Sequence, residues 1–72
     1  MYLFQEIHVN DEPSHITFYS SYCNFHPKYI IGVLDFKTKI LKLKPTQSKR
    51  NLKLQEKIKQ DYPGYKLVEW TA

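Results

Sequence analysis

The chain has 72 residues, of which 42% are hydrophobic and 15% aromatic, and its formal net charge at pH 7 is +4. This length predicts one domain, residues 1–72, because the interior is too small for two hydrophobic cores, and the apolar content argues against intrinsic disorder. One cysteine excludes an internal disulfide, and no apolar run approaches the roughly 20 residues that span a bilayer. We therefore expect a small basic protein, cytoplasmic or nucleoplasmic, that is neither secreted nor membrane-bound.

The first two predicted strands form a hairpin. Residues 2–9, YLFQEIHV, mix β-branched and aromatic residues with polar ones. Residues 15–22, HITFYSSY, alternate with the period of two that is typical of a strand. Between them Asn10, Asp11 and Pro13 favour a turn, so the two strands should pair antiparallel.

A loop at residues 23–27 precedes a second predicted hairpin. Residues 28–36, KYIIGVLDF, are apolar on both faces, which is typical of a central strand, and Gly32 favours contact of an aromatic ring with the backbone. In residues 40–44, ILKLK, the two leucines share one face, while both lysines share the other with Ile40. This hairpin should therefore be basic on its outer face.

One helix of about 12–15 residues is predicted after the second hairpin. Thr46 or Ser48 supplies a side-chain oxygen that can cap its first turn. Leu54, Ile58 and Tyr62 recur every four residues and predict the buried stripe. A proline-glycine pair then ends the helix.

The last predicted strand covers residues 65–70, YKLVEW. Val68 and Trp70 lie two residues apart, and we expect both to face the helix. The complete order is ββββαβ, which predicts an α+β domain with one helix packed on an antiparallel or mixed sheet of four to five strands.

The cationic residues are concentrated in one segment. Residues 37–59 contain nine of the eleven Lys and Arg residues, residues 37–72 carry a net charge of +7, and residues 1–36 carry −3. Such asymmetry indicates a polyanion or an acidic protein as partner, although a solvated lysine face gives the same pattern. The predicted binding ridge consists of Lys42, Lys44, Lys49, Arg50, Lys53 and Lys57.

Aromatic residues near this ridge suggest a second kind of contact. Tyr19, Tyr29 and Tyr65 could stack on unpaired bases, as aromatic residues do in sheet-faced modules that bind single strands. The first functional hypothesis is therefore a non-enzymatic domain that binds RNA or DNA, or that joins a larger nucleic-acid-binding complex. Recognition would depend on charge and shape.

Metal binding and catalysis have less support. Cys23 and His26 form C-x-x-H, and His8 with His15 could complete a zinc site, but the second pair lacks the close spacing of zinc ligands. Cys23 has no recognisable orienting group or oxyanion hole, and the chain has no glycine-rich phosphate loop. We therefore predict no metal, no cofactor and no enzymatic activity.

A second hypothesis is an adaptor or inhibitor that docks on a larger protein, of the kind that phages and mobile elements encode. One helix covers only one face of the sheet, so aromatic residues on the other face are available for an interface. The unpaired edges of the sheet could also pair with a second copy of the chain, so a homodimer is possible.

Two segments also resemble parts of nucleoprotein machines. KYIIGVLDFKTKILKLKP resembles a hairpin in the dimerisation module of an RNA polymerase I subunit, and EKIKQDYPGYKLVE is similar to the end of a small eukaryotic ribosomal protein.

Overall fold

The protein is a five-stranded sheet with one helix packed on it. The computed structural model describes residues 1–20 and 24–70. In chain order the elements are β1 (Leu3–Val9), β2 (Glu12–Tyr19), a 3₁₀ helix (Pro27–Tyr29), β3 (Ile30–Asp35), β4 (Ile40–Leu43), α1 (Lys49–Asp61) and β5 (Lys66–Glu69). The strands lie in sequence order, with β1 to β4 antiparallel and β5 parallel to β4. This confirms the predicted α+β domain of order ββββαβ, with a mixed sheet.

The turn between β1 and β2 is tighter than the sequence predicts. Asn10 and Asp11, with φ of 54° and 64°, make the connection, and these residue types tolerate positive φ better than most. β2 therefore starts at Glu12 and includes Pro13. The proline is tolerated because β3 pairs with β2 only from His15 onward, so no ladder bond is lost on that side.

A short 3₁₀ helix occupies the predicted start of the third strand. Lys28 and Tyr29 belong to this helix, so β3 begins at Ile30. The Nδ1 atom of His26 accepts a hydrogen bond from the Lys28 N–H at 3.2 Å and so caps the turn. Residues 21–23, which include the predicted end of the second strand, lie outside the described residues.

One face of the sheet packs against α1 and forms the core. The buried cluster consists of Ile16, Phe18, Ile31, Leu34, Leu41, Leu54 and Ile58. The predicted helix stripe is confirmed, since Leu54 and Ile58 are buried and Tyr62 packs against the cluster. Ser48 caps the helix, because its Oγ accepts from the Asn51 N–H at 3.3 Å. The opposite sheet face carries no helix within the described residues, and we call it the open face.

Gly32 permits a close contact within the sheet, with a different partner from the one predicted. A Cβ atom here would lie 2.9 Å from Cδ2 of Leu43 and 3.0 Å from the carbonyl oxygen of Lys42. Phe18 is its neighbour on β2, but the nearest atoms belong to β4. A side chain at this position would therefore have to displace the Leu43 methyl group and shift the Lys42 carbonyl by a few tenths of an ångström.

β5 faces the opposite way to the prediction. In the parallel register Leu41 is opposite Leu67, and Lys42 is opposite Val68. Since Leu41 is in the core, Leu67 lies on the helix side and Val68 on the open face. The N–H of Trp70 continues the ladder by donating to the end of β4, so Trp70 shares the side of Val68. The predicted orientation of Val68 and Trp70 is wrong. Both faces of this strand carry apolar residues, so the sequence pattern alone does not show which face is towards the helix, and the register with β4 decides it.

Candidate nucleic-acid interface

The two ends of the sheet carry different charges. Because neighbouring strands alternate in direction up to β4, the end where β3 begins is also where β2, β4 and β5 finish. We call it the cationic end and define it by residues 1–3, 19–20, 24–30, 43–50 and 69–70. Within these ranges the charged side chains are Lys28, Lys44, Lys49, Arg50 and Glu69. Asp61, which accepts a hydrogen bond from Tyr2 of this end, is paired with Lys57 at 3.2 Å, so this pair adds no net charge. The net side-chain charge at this end is therefore +3.

The opposite end, which contains both hairpin turns, is neutral. We call it the turn end and define it by residues 8–12, 35–40 and 64–66. Its three positive side chains are balanced by three negative ones. The lysines are Lys37, Lys39 and Lys66, and the acids are Asp11, Glu12 and Asp35. Asp35 Oδ1 accepts from the backbone N–H groups of Lys37 at 2.8 Å and Thr38 at 3.1 Å. These bonds, that from Thr38 first, hold the pKa of Asp35 below its ordinary value.

Four of the predicted cations lie together on the outside of α1. At about 100° per residue, Lys49, Arg50, Lys53 and Lys57 fall within one arc of the helix surface, and all four are exposed. Lys57 Nζ lies 3.2 Å from the carboxylate of Asp61. The first turn contains no acidic residue, so the positive end of the helix dipole adds to the cationic charge there.

Lys42 does not join this group. It alternates with Leu41 along β4, and Leu41 points into the core beneath α1. The side chain of Lys42 is therefore on the open face, on the other side of the sheet from the helix lysines. The six predicted cations do not form one continuous ridge, because the sheet separates Lys42 from the four cations of α1.

Lys44 is held in place by a buried glutamine that the sequence reading missed. Gln55 is 5% exposed, and its Nε2 donates to the carbonyl oxygens of Ile31 at 3.0 Å and Lys44 at 2.8 Å. These bonds tie the helix to β3 and to the chain leaving β4. A signal was present, since Gln55 precedes Ile58 by three residues and so lies beside the apolar stripe.

A polar cavity of about 160 Å³ lies at the cationic end. The lining residues that have polar side chains are Ser20, Lys28, Tyr29, Lys44, Thr46 and Asn51. Lys28 and Lys44 are 16 positions apart in sequence, and the pairing of β3 with β4 brings them to the same cavity. No carboxylate is among the described residues that line it. The cavity therefore suits an anion, and Lys28 is a candidate that the sequence reading missed.

The three predicted stacking tyrosines differ in accessibility. Tyr19 is only 5% exposed and packs edge-on against Phe25, with ring centroids 5.3 Å apart. Tyr65 packs against the core cluster, with Lys39 Nζ 5.9 Å from its ring centroid. Tyr29 is 37% exposed and has Lys28 Nζ 5.0 Å from its centroid. Of the three, Tyr29 has the ring surface that an unpaired base could use.

The histidines do not assemble a metal site within the described residues. No group of three His, Cys, Asp or Glu side chains that could hold a metal ion occurs in residues 1–20 and 24–70. His8 pairs with Glu6 at 3.3 Å, and His26 accepts the capping hydrogen bond of the 3₁₀ helix. Cys23, the other half of the C-x-x-H motif, lies outside the described residues.

A further electrostatic contact, between Tyr2 and Asp61, is structural. Tyr2 donates its hydroxyl to Asp61, and this bond, followed by that from Lys57, lowers the pKa of Asp61. Burial first, and then the bond to Asp61, raise the pKa of Tyr2. The ring of Tyr2 also packs edge-on against Phe18 at 5.4 Å. This contact joins the end of α1 to the start of the chain.

Comparison with protein families, with curated proteins and with solved structures finds no match to this chain. The two local resemblances noted in the sequence therefore transfer no functional residue. None of the helices in the described ranges has the length and apolar character needed to cross a membrane.

Proposed function

We propose that the protein is a non-enzymatic nucleic-acid-binding domain whose contact surface is the cationic end together with the outer side of α1. The surface consists of Lys28, Lys44, Lys49, Arg50, Lys53 and Lys57. The observation that carries the proposal is the difference between the two ends of the sheet, +3 against zero. A solubilising lysine surface has no need of that difference, because its charges can be spread over the whole molecule.

The geometry of α1 fits an extended array of phosphates. Residues 49–57 cover about 12 Å along the helix axis. Duplex DNA carries one negative charge per roughly 1.7 Å of its length, so a strip of this length can face several phosphates at once. Lysine and arginine ammonium and guanidinium groups bind phosphate without regard to base sequence, and their binding releases condensed counterions.

The test is fluorescence anisotropy with labelled single-stranded RNA, single-stranded DNA and duplex DNA. We expect binding at about 50 mM salt that weakens steeply towards about 200 mM, because salt restores the counterion atmosphere. Absence of binding to all three ligands at the lower salt concentration would contradict the proposal.

A second candidate function is docking on another protein, and one observation favours it. Leu52 and Leu67 are 46% and 52% exposed, and both line a groove of about 370 Å³ between α1 and β5. Among the strands of residues 1–20 and 24–70, β5 pairs with β4 only, so its other edge can accept an added strand from a partner. Capture from nuclease-treated lysate distinguishes the functions. A stoichiometric protein partner that is lost with Leu67→Asp supports docking, whereas loss of every partner on nuclease treatment supports nucleic-acid binding.

A further inference from the structure

We propose that the cavity at the cationic end binds one phosphate of a single strand while the adjacent base stacks on Tyr29. This inference rests on the proposed function and makes it specific, because it predicts preference for unpaired nucleotides over duplex. Four separate parts of the chain build the cavity: the end of β2, the 3₁₀ helix with the start of β3, the end of β4, and the first turn of α1.

The lining chemistry matches a phosphate group. Lys28 and Lys44 line the cavity and carry two positive charges, and the other lining residues include Ser20, Tyr29 and Asn51, whose side chains carry neutral hydrogen-bond donors. The described lining contains no carboxylate that would repel an anion. A volume of about 160 Å³ is well above the roughly 10–15 Å³ that one water molecule requires by the same measure.

The position of Lys28 couples the phosphate to the base. Its Nζ lies over one face of the Tyr29 ring, 5.0 Å from the centroid, and the His26 ring packs edge-on at 6.3 Å. A base therefore stacks on the other face or displaces this ammonium, and in both arrangements the phosphate of that nucleotide lies within reach of Lys28. Tyr29 is 37% exposed, and it is not part of the core cluster. A base held in a duplex is already stacked and paired, so only an unpaired base can use the ring.

The experiment compares a labelled oligothymidylate of about ten nucleotides, a length within the range that single-strand-binding folds cover, with a duplex of the same length. The key variant is Tyr29→Leu, which removes the aromatic ring but keeps apolar volume. Phe4→Leu is the matched control, because Phe4 is also exposed but lies on β1 and does not line the cavity. Melting temperatures establish that both variants are folded.

We expect Tyr29→Leu to weaken single-strand binding by about 5- to 150-fold, the range for loss of one stacked base, with little effect on duplex binding. Phe4→Leu should leave both affinities unchanged. Lys44→Gln should reduce the dependence of binding on salt by about one phosphate contact, whereas Lys66→Gln at the turn end should not.

Several results would overturn this inference. Equal affinity of the parent for single strand and duplex excludes the subsite, and so does unchanged single-strand binding by Tyr29→Leu. In either case a difference between Lys44→Gln and Lys66→Gln would still support the proposed function. No binding to either oligonucleotide defeats both proposals, and equal affinity for a polyglutamate peptide identifies an acidic protein as the ligand instead.

Discussion

The cationic end and the turn end show how topology redistributes the charge of a sequence. Lys37, Lys39 and Lys66 belong to the basic second half of the chain, but the sheet places them at the turn end, where three acids from the first half offset them. Lys28 comes from the acidic first half and joins the cationic end. The charge asymmetry of the folded protein is therefore one between two ends of a sheet, and the division of the sequence into halves only approximates it.

The two ends are also held together differently. At the cationic end, the buried amide of Gln55 donates to Ile31 and Lys44 and so fixes the exits of two strands against α1. At the turn end, the exposed backbone of the β3–β4 turn is held by the carboxylate of Asp35. The Gln55 amide is buried and does not titrate, whereas the hydrogen bonds to the Asp35 carboxylate depend on pH.

The largest expected effect comes from the core that both ends share. Phe18 is fully buried and packs edge-on against Tyr2 and Tyr62. Phe18→Ala should lower the free energy of unfolding by about 3–5 kcal/mol, measured by urea denaturation with circular dichroism. Phe4→Ala is the matched control, since Phe4 lies directly opposite on β1 but is 52% exposed. Equal losses in the two variants would show that the core is not centred on Phe18.

An intermediate effect is expected from the anchor of the cationic end. Gln55→Leu keeps the volume of the side chain but leaves the Lys44 carbonyl without its donor, which should cost about 1–3 kcal/mol. Gln60→Leu, on an exposed position of the same helix, should cost little. We also expect Gln55→Leu to weaken binding of single-stranded DNA, because the backbone of Lys44 is no longer fixed at the cavity that Lys28 also lines. Unchanged stability and affinity in Gln55→Leu would contradict the anchoring role.

The smallest effect concerns the turn end. Because the pKa of Asp35 is lowered in the folded protein, its contribution to stability is present above the unfolded pKa of about 3.9 and is lost as the pH falls through the folded value. Asp35→Asn should therefore reduce stability at neutral pH more than in acid. Denaturation curves at both pH values measure the difference, and Asp11→Asn removes the same charge from the neighbouring turn as a control. If the difference in unfolding free energy between the parent and Asp35→Asn were larger in acid than at neutral pH, the assigned role of Asp35 would be contradicted.

The buried side and the N-cap of α1 could be predicted from the sequence, because residues close together in the chain determine both. The spacing of Leu54, Ile58 and Tyr62 fixes the buried side of α1, and Ser48 caps it as the sequence predicts. The position of Lys42 could also have been inferred. Alternation with Leu41 places it on the open face once the helix is assigned to the side of Leu41.

Other features depend on contacts between distant segments and could not be predicted. The orientation of β5 is set by its register with β4, since Leu67 and Val68 are both apolar. The role of Gln55 depends on two carbonyl groups that are 24 and 11 residues away in sequence. The presence of Lys28 and Lys44 at one cavity likewise requires the pairing of β3 with β4, which no local spacing encodes.

The most direct test of the difference between the ends compares two variants that lose the same number of positive charges, one from each end. One triple variant, Lys28→Gln, Lys44→Gln and Lys49→Gln, removes three cations from the cationic end, and a second, Lys37→Gln, Lys39→Gln and Lys66→Gln, removes three from the turn end. The two proteins have the same net charge, so the affinity of each for single-stranded DNA across a salt series isolates position from total charge. We predict that the first variant has a lower affinity and that the slope of its affinity against salt concentration decreases by about three phosphate contacts. The second variant should stay close to the parent in both quantities. Equal losses in both variants would show that net charge alone drives binding and would contradict the assignment of the cationic end.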